Sequence, residues 1–87
     1  MERRFDKSAD LSMQVLQLLN MHKSGLCIYE IQACLISHGE CFRERDDLIV
    51  CVDHLQGQLF ARRDDGVAFR QWGVWHITEE GTRHLRA

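Results

Sequence analysis

The residues of this 87-residue chain with the greatest chemical capacity are four cysteines, five histidines and a set of arginines late in the sequence. Cys34-x3-His38-x2-Cys41, followed by Cys51-x2-His54, can be drawn as a metal site. Pairs at i, i+3 or i, i+4 on helices each aim two ligands at one point, and zinc takes four in a tetrahedron. No Cys-x2-Cys knuckle accompanies them, and reduced cysteines are among the most commonly buried residues, so core thiols are the simpler reading and no metal is expected. A redox or nucleophilic thiol needs neighbours that lower its pKa, and nothing in the sequence supplies them. There is no Gly-rich phosphate loop, no nucleophile elbow and no paired-carboxylate motif, and the chain is too short to wall a substrate cleft. The expectation is a non-catalytic protein without a cofactor.

The arginines form the stronger pattern. Arg62, Arg63 and Arg70, interleaved with Phe69 and Trp72, combine donors for phosphate oxygens with aromatic surface, as a nucleic-acid contact requires. The alternative is a solvated hairpin whose arginines pair with Asp64 and Asp65. Arg43 and Arg45 open a later helix but share that turn with Glu44, Asp46 and Asp47. The formal net charge of −2 opposes nucleic-acid binding, because neutralising phosphates supplies most non-specific affinity.

These groups must be positioned by a small set of elements. Residues 1–7 are charged and aperiodic and read as a loose arm, followed by one domain over residues 8–87. Ser8 or Asp10 can cap a first helix over 9–22, whose Leu11, Val15, Leu18, Leu19 and His22 share a face. Lys23, Ser24 and Gly25 end it, and Leu26 and Cys27 form a short extended link. Ile28, Ile31 and Leu35, with Cys34 at the edge, give a second helix over 28–38, with Cys27 and Glu30 in the positions of a capping box. Leu48, Val52, Leu55 and Leu59 recur at steps of four, three and four and mark a third helix over 44–56, with Gly57 able to supply the left-handed residue after it. Alternation over 59–63, 67–70 and 74–77, with turn signals at Gly66 and Gly73, gives a hairpin spanning 59–77. Thr78 can cap a last helix over 79–86.

This order resembles a winged helix, an α+β fold in which a helix-turn-helix core carries a β-hairpin wing. His54-Leu55-Gln56-Gly57-Gln58-Leu59-Phe60-Ala61-Arg62-Arg63 is similar to the passage from recognition helix to wing in bacterial winged-helix regulators. Trp75-His76-Ile77-Thr78-Glu79-Glu80-Gly81 resembles the end of the wing in regulators of the PadR and MarR kinds, and Gly25-Leu26-Cys27-Ile28-Tyr29-Glu30-Ile31 resembles the start of their second helix. Two departures stand out: Gln58 separates Gly57 from the apolar pair Leu59-Phe60, and the third helix is acidic where the family usually carries Ser, Thr, Arg, Lys or Asn. The resemblance implies a bacterial or phage transcriptional regulator that binds duplex DNA as a homodimer. Arg43, Arg45, His54 and Gln56 would then lie in the major groove, and Arg62, Arg63, Arg70 and Trp72 on the backbone or in the minor groove. The alternative is the same fold used to dock another protein through Asp46, Asp47 and Asp53 or through Trp72.

Composition agrees with a globular chain, 45% hydrophobic and 28% charged. No apolar run suffices to span a bilayer, and residues 1–7 lack the apolar region of a signal peptide, so a cytoplasmic location with free thiols and no membrane partner is expected.

Overall fold

The structure, a computed structural model, describes residues 9–39, 44–64 and 73–86. Among them are four helices and a two-stranded antiparallel hairpin in the order α1 (Leu11–Met21), α2 (Ile28–Ser37), α3 (Arg45–Gly57), β1 (Ala61–Asp64), β2 (Val74–Ile77) and α4 (Glu79–Arg86). This is a small α+β protein. No described helix is long and apolar enough to cross a membrane.

Asp10 is the residue that caps α1, accepting from the Met13 N–H at 2.9 Å. The helix is buried on a wider arc than its spacing predicts. Val15, Leu18 and Leu19 are fully buried as expected, but so is Leu16, because α1 packs against α2, α3, β2 and α4. His22, placed on the buried face by the spacing, instead terminates the helix and is exposed. Gly25 follows at φ +96°, where a β-carbon would lie 2.5 Å from Val74 Cγ1 and 2.6 Å from His76 Cε1. Glycine is required there both by the left-handed backbone and by the close approach of β2.

Glu30 closes the start of α2 by accepting from the Cys27 N–H at 2.9 Å. Ile28, Ile31 and Leu35 from α2 meet Leu48, Val52 and Leu55 from α3 in one core cluster with α1 and Trp75.

The end of α3 departs from expectation. Gly57 is the last helical residue and does not take positive φ; Leu59 does, at φ +66°. The Leu59 N–H donates to Gln56 O at 3.0 Å and the Phe60 N–H to Leu55 O at 2.9 Å. That is a Schellman closure with a leucine at the left-handed position. Had Gly57 taken that position, polar Gln58 would be the next residue facing the helix. With Leu59 there, apolar Phe60 takes this place, joins the core cluster and stacks on His84 with ring centroids 4.4 Å apart. Leu59, predicted as the last member of the buried stripe, is consequently 69% exposed. For the same reason β1 starts at Ala61 instead of residue 59.

The hairpin pairs Ala61 with Ile77, Arg62 with His76, Arg63 with Trp75 and Asp64 with Val74. On its other side β2 meets Leu26, which exchanges two backbone hydrogen bonds with Trp75 at 2.8 and 3.0 Å. Trp75 is 2% exposed, in the core as its strand position predicts. The predicted strand 67–70, the turn at Gly66 and the site residues Arg43, Arg70 and Trp72 lie outside the described residues.

Thr78 caps α4 as predicted and does more. Its hydroxyl accepts from the Gly81 N–H at 3.1 Å and donates to Leu59 O at 2.6 Å, while its own N–H donates to Phe60 O at 3.0 Å. Gly81 is buried against that same Phe60 carbonyl, and a β-carbon would collide with it. The Thr-Glu-Glu-Gly sequence is thus a local device that fastens α4 to the turn after α3.

Candidate nucleic-acid interface

Side chains alternate across a strand, so Arg62 and Arg63 cannot face the same way. Arg62 shares its face with His76, its cross-strand partner. Arg63 lies on the other face, with its guanidinium carbon 5.9 Å from the centre of the Trp75 ring. That second face looks toward α3: Arg63, Trp75 and Asp53 line a small pocket of about 100 Å³ together with Ile28, Ile49 and Val52. Asp53 therefore lines the same pocket as the arginine.

The face of Arg62 opens onto a larger, shallow groove of about 500 Å³ between the hairpin, the turn after α1 and α4. Lys23 reaches it from the turn, Arg62 and His76 from the hairpin, and Arg83 and Arg86 from α4; Glu79 is the carboxylate on its wall. Arg83 is engaged by Glu80 at 2.9 Å and Glu79 at 3.7 Å, both highly exposed contacts of little energetic weight. Among the described residues Lys23, Arg62 and Arg86 make no ion pair. Thr78 and Thr82 also line the groove, but their hydroxyls already donate, to Leu59 O and Thr78 O. Apart from the His76 ring, the groove's available side-chain donors are its cations.

The solvent face of α3 has the opposite character. Asp46, Val50 and Asp53 follow one another at helical spacing and are exposed, with Asp47 beside them. Val50 is 67% exposed. His54 and Gln56 are both exposed, but residues two apart stand about 160° apart around a helix axis, so they flank the acidic stripe on opposite sides. His54 looks toward α1 and α4, where it lines a pocket with Asp10, Leu16, Phe60 and His84. Arg45 occupies the first position of α3.

The structure thus brings Arg62 together with residues that the sequence offers as a candidate surface only in part. Lys23, Arg83 and Arg86 read in sequence as helix-dipole partners, and His76 as a core flank. Two signals point to them: the shared parity of Arg62 and His76 across the hairpin, and the helical spacing of Arg83 and Arg86.

The described members of the cysteine pattern do not assemble around a metal. Among the described residues no group of three or more His, Cys, Asp or Glu side chains is placed to hold an ion; Cys41 lies outside them. Cys27, Cys34 and Cys51 are free thiols. Cys34 Sγ lies 3.9 Å from His22 Nε2. Burial pushes the Cys34 thiol pKa up, and the charge of Glu30 adds to it, the reverse of what a nucleophile or metal ligand needs.

No family model, no curated protein and no solved structure matches this chain.

Proposed function

We propose that this chain is a winged helix-turn-helix domain that binds duplex DNA without chemistry, as a homodimeric transcriptional regulator. The observation that carries the reading is the placement of the hairpin. It leaves the C-terminus of α3 through a turn of three residues, presents Arg62 and Arg63 on a strand packed beside that helix, and returns through β2 to meet Leu26. A three-helix core with a basic hairpin at the end of its third helix is the layout by which winged helices address DNA. The cations converging around Arg62 support it further, since a net charge of −2 is compatible with DNA binding when the basic groups gather on one face. A homodimer follows from the small surface one module can bury.

A second reading has an observation of its own. The exposed stripe Asp46, Val50, Asp53, acidic with an apolar centre, suits a basic protein partner better than phosphate. Titrating the protein against random-sequence duplex DNA at low salt decides between them. Association that weakens steeply as salt rises is expected for the DNA reading, and no measurable association at low salt leaves the protein-docking reading in its place.

A further inference from the structure

We propose that duplex DNA lies on the α4 side of the hairpin, with one phosphate backbone running through the groove walled by Lys23, Arg62 and Arg86, and that the exposed face of α3 is turned away from it. The inference rests on the duplex-binding reading and adds to it the docking side and the groups that make the contact. In the usual arrangement the third helix enters the major groove and the hairpin assists; here the charge distribution points the other way.

The groove gathers cations from three places far apart in the chain: Lys23 from the turn after α1, Arg62 from β1, and Arg83 and Arg86 from α4. A run of basic residues on one exposed helix is ordinary solvated surface. Convergence from separate elements is a property of the folded surface. The groove is also shallow and open, a shape that fits an extended backbone and not an enclosed small molecule. Its hydroxyls are committed to local hydrogen bonds, so recognition there falls to guanidinium and ammonium groups, the chemistry suited to phosphate.

The opposite side argues by exclusion. DNA approaching α3 would meet Asp46, Asp47 and Asp53 across exposed surface. Arg63, the described hairpin cation on that side, shares its pocket with Asp53 and sits over Trp75. A two-stranded ribbon is itself thin enough to enter a major groove, so sequence contact does not require α3.

The test compares salt slopes by fluorescence anisotropy on a labelled random-sequence duplex between about 50 and 200 mM salt. Each phosphate that is no longer neutralised lowers the slope by about 0.9, so Lys23→Gln/Arg62→Gln/Arg86→Gln is expected to flatten it by about 2.7. Thermal melting of this variant checks that it folds, and all three positions are exposed. Asp46→Asn/Asp53→Asn is expected to change affinity less than about threefold, since those carboxylates face away from the DNA. An unchanged slope in the triple variant overturns the proposal while leaving the duplex-binding reading intact, as does a tenfold or greater tightening by the aspartate variant. Failure of the unmodified protein to bind at low salt removes both.

Discussion

The turn after α3 makes opposite demands at two positions only two residues apart, and substitution can read them. Gly57 is helical, and nothing lies within 4 Å of where its β-carbon would stand. Alanine there gains the propensity difference between the two residues in a helix, reduced at the last turn to about 0.5–1 kcal/mol. Leu59 holds the left-handed position at φ +66°, a conformation that costs an L-residue about 1–2 kcal/mol. Leu59→Gly relieves that cost but enlarges the freedom of the unfolded chain, an offset of about 0.4–1 kcal/mol. It also forfeits the third of the side chain that is buried. Leu59→Ala forfeits the same packing without the relief, so the two variants at this position differ by the backbone preference alone. Urea and thermal unfolding followed by circular dichroism should find Gly57→Ala stabilised by about 0.5–1 kcal/mol, and Leu59→Gly more stable than Leu59→Ala by about 1 kcal/mol, roughly 4–8 °C in a domain of this size. If Gly57→Ala instead destabilises by about 1 kcal/mol, the left-handed residue is Gly57 and the Schellman assignment is wrong.

Two further outcomes follow from packing and from the half-buried thiol of Cys34. Gly81→Ala forces a methyl group into the Phe60 carbonyl and should destabilise the protein by about 1–3 kcal/mol, as overpacking typically does; an unchanged melting temperature refutes the close approach of α4. The Cys34 thiol, raised by burial and then by Glu30, holds its proton in the folded chain to higher pH than when unfolded. Its contribution to stability is therefore present below the ordinary thiol range and is lost as pH rises through the raised value. Alkylation of folded Cys34, followed by peptide mass spectrometry across pH, should lag behind the same residue in urea at every pH through that range. Equal rates contradict the assignment.

Most of the architecture is legible in the residues because it rests on local periodicity. Leu48, Val52 and Leu55 announce the buried face of α3, and Thr78 announces the start of α4, whose bounds agree with the reading to the residue. The C-terminus of α3 is not legible in this way, because a nearby glycine does not decide it alone. Which residue turns left-handed depends on which following side chain has a core to enter, and Phe60 outweighs the penalty at Leu59. Leu16 lies off the predicted stripe because α1 is central, and a helix surrounded by partners is buried beyond any single stripe. The interface is the least legible part. Arg62 and Arg63 are neighbours in sequence and strangers in space, whereas Lys23, Arg62 and Arg86 become neighbours only when the hairpin folds back over the turn at Gly25.

The fastening of the hairpin base has a thermodynamic consequence. Trp75 is bonded to Leu26 on one side and paired with Arg63 on the other, Val74 and His76 are pressed by Gly25, and Thr78 ties the exit of β2 to Leu59 and Phe60. The backbone that presents Arg62 and His76 is therefore fixed before any ligand arrives. Association has to immobilise only side chains, about 0.5–1.5 kcal/mol each, and not a strand of backbone at about 1–2 kcal/mol per residue. On the duplex-binding reading proposed above, a chain of this size with modest total charge would in this way convert a few phosphate contacts into measurable affinity, because the ordering entropy was already spent in folding.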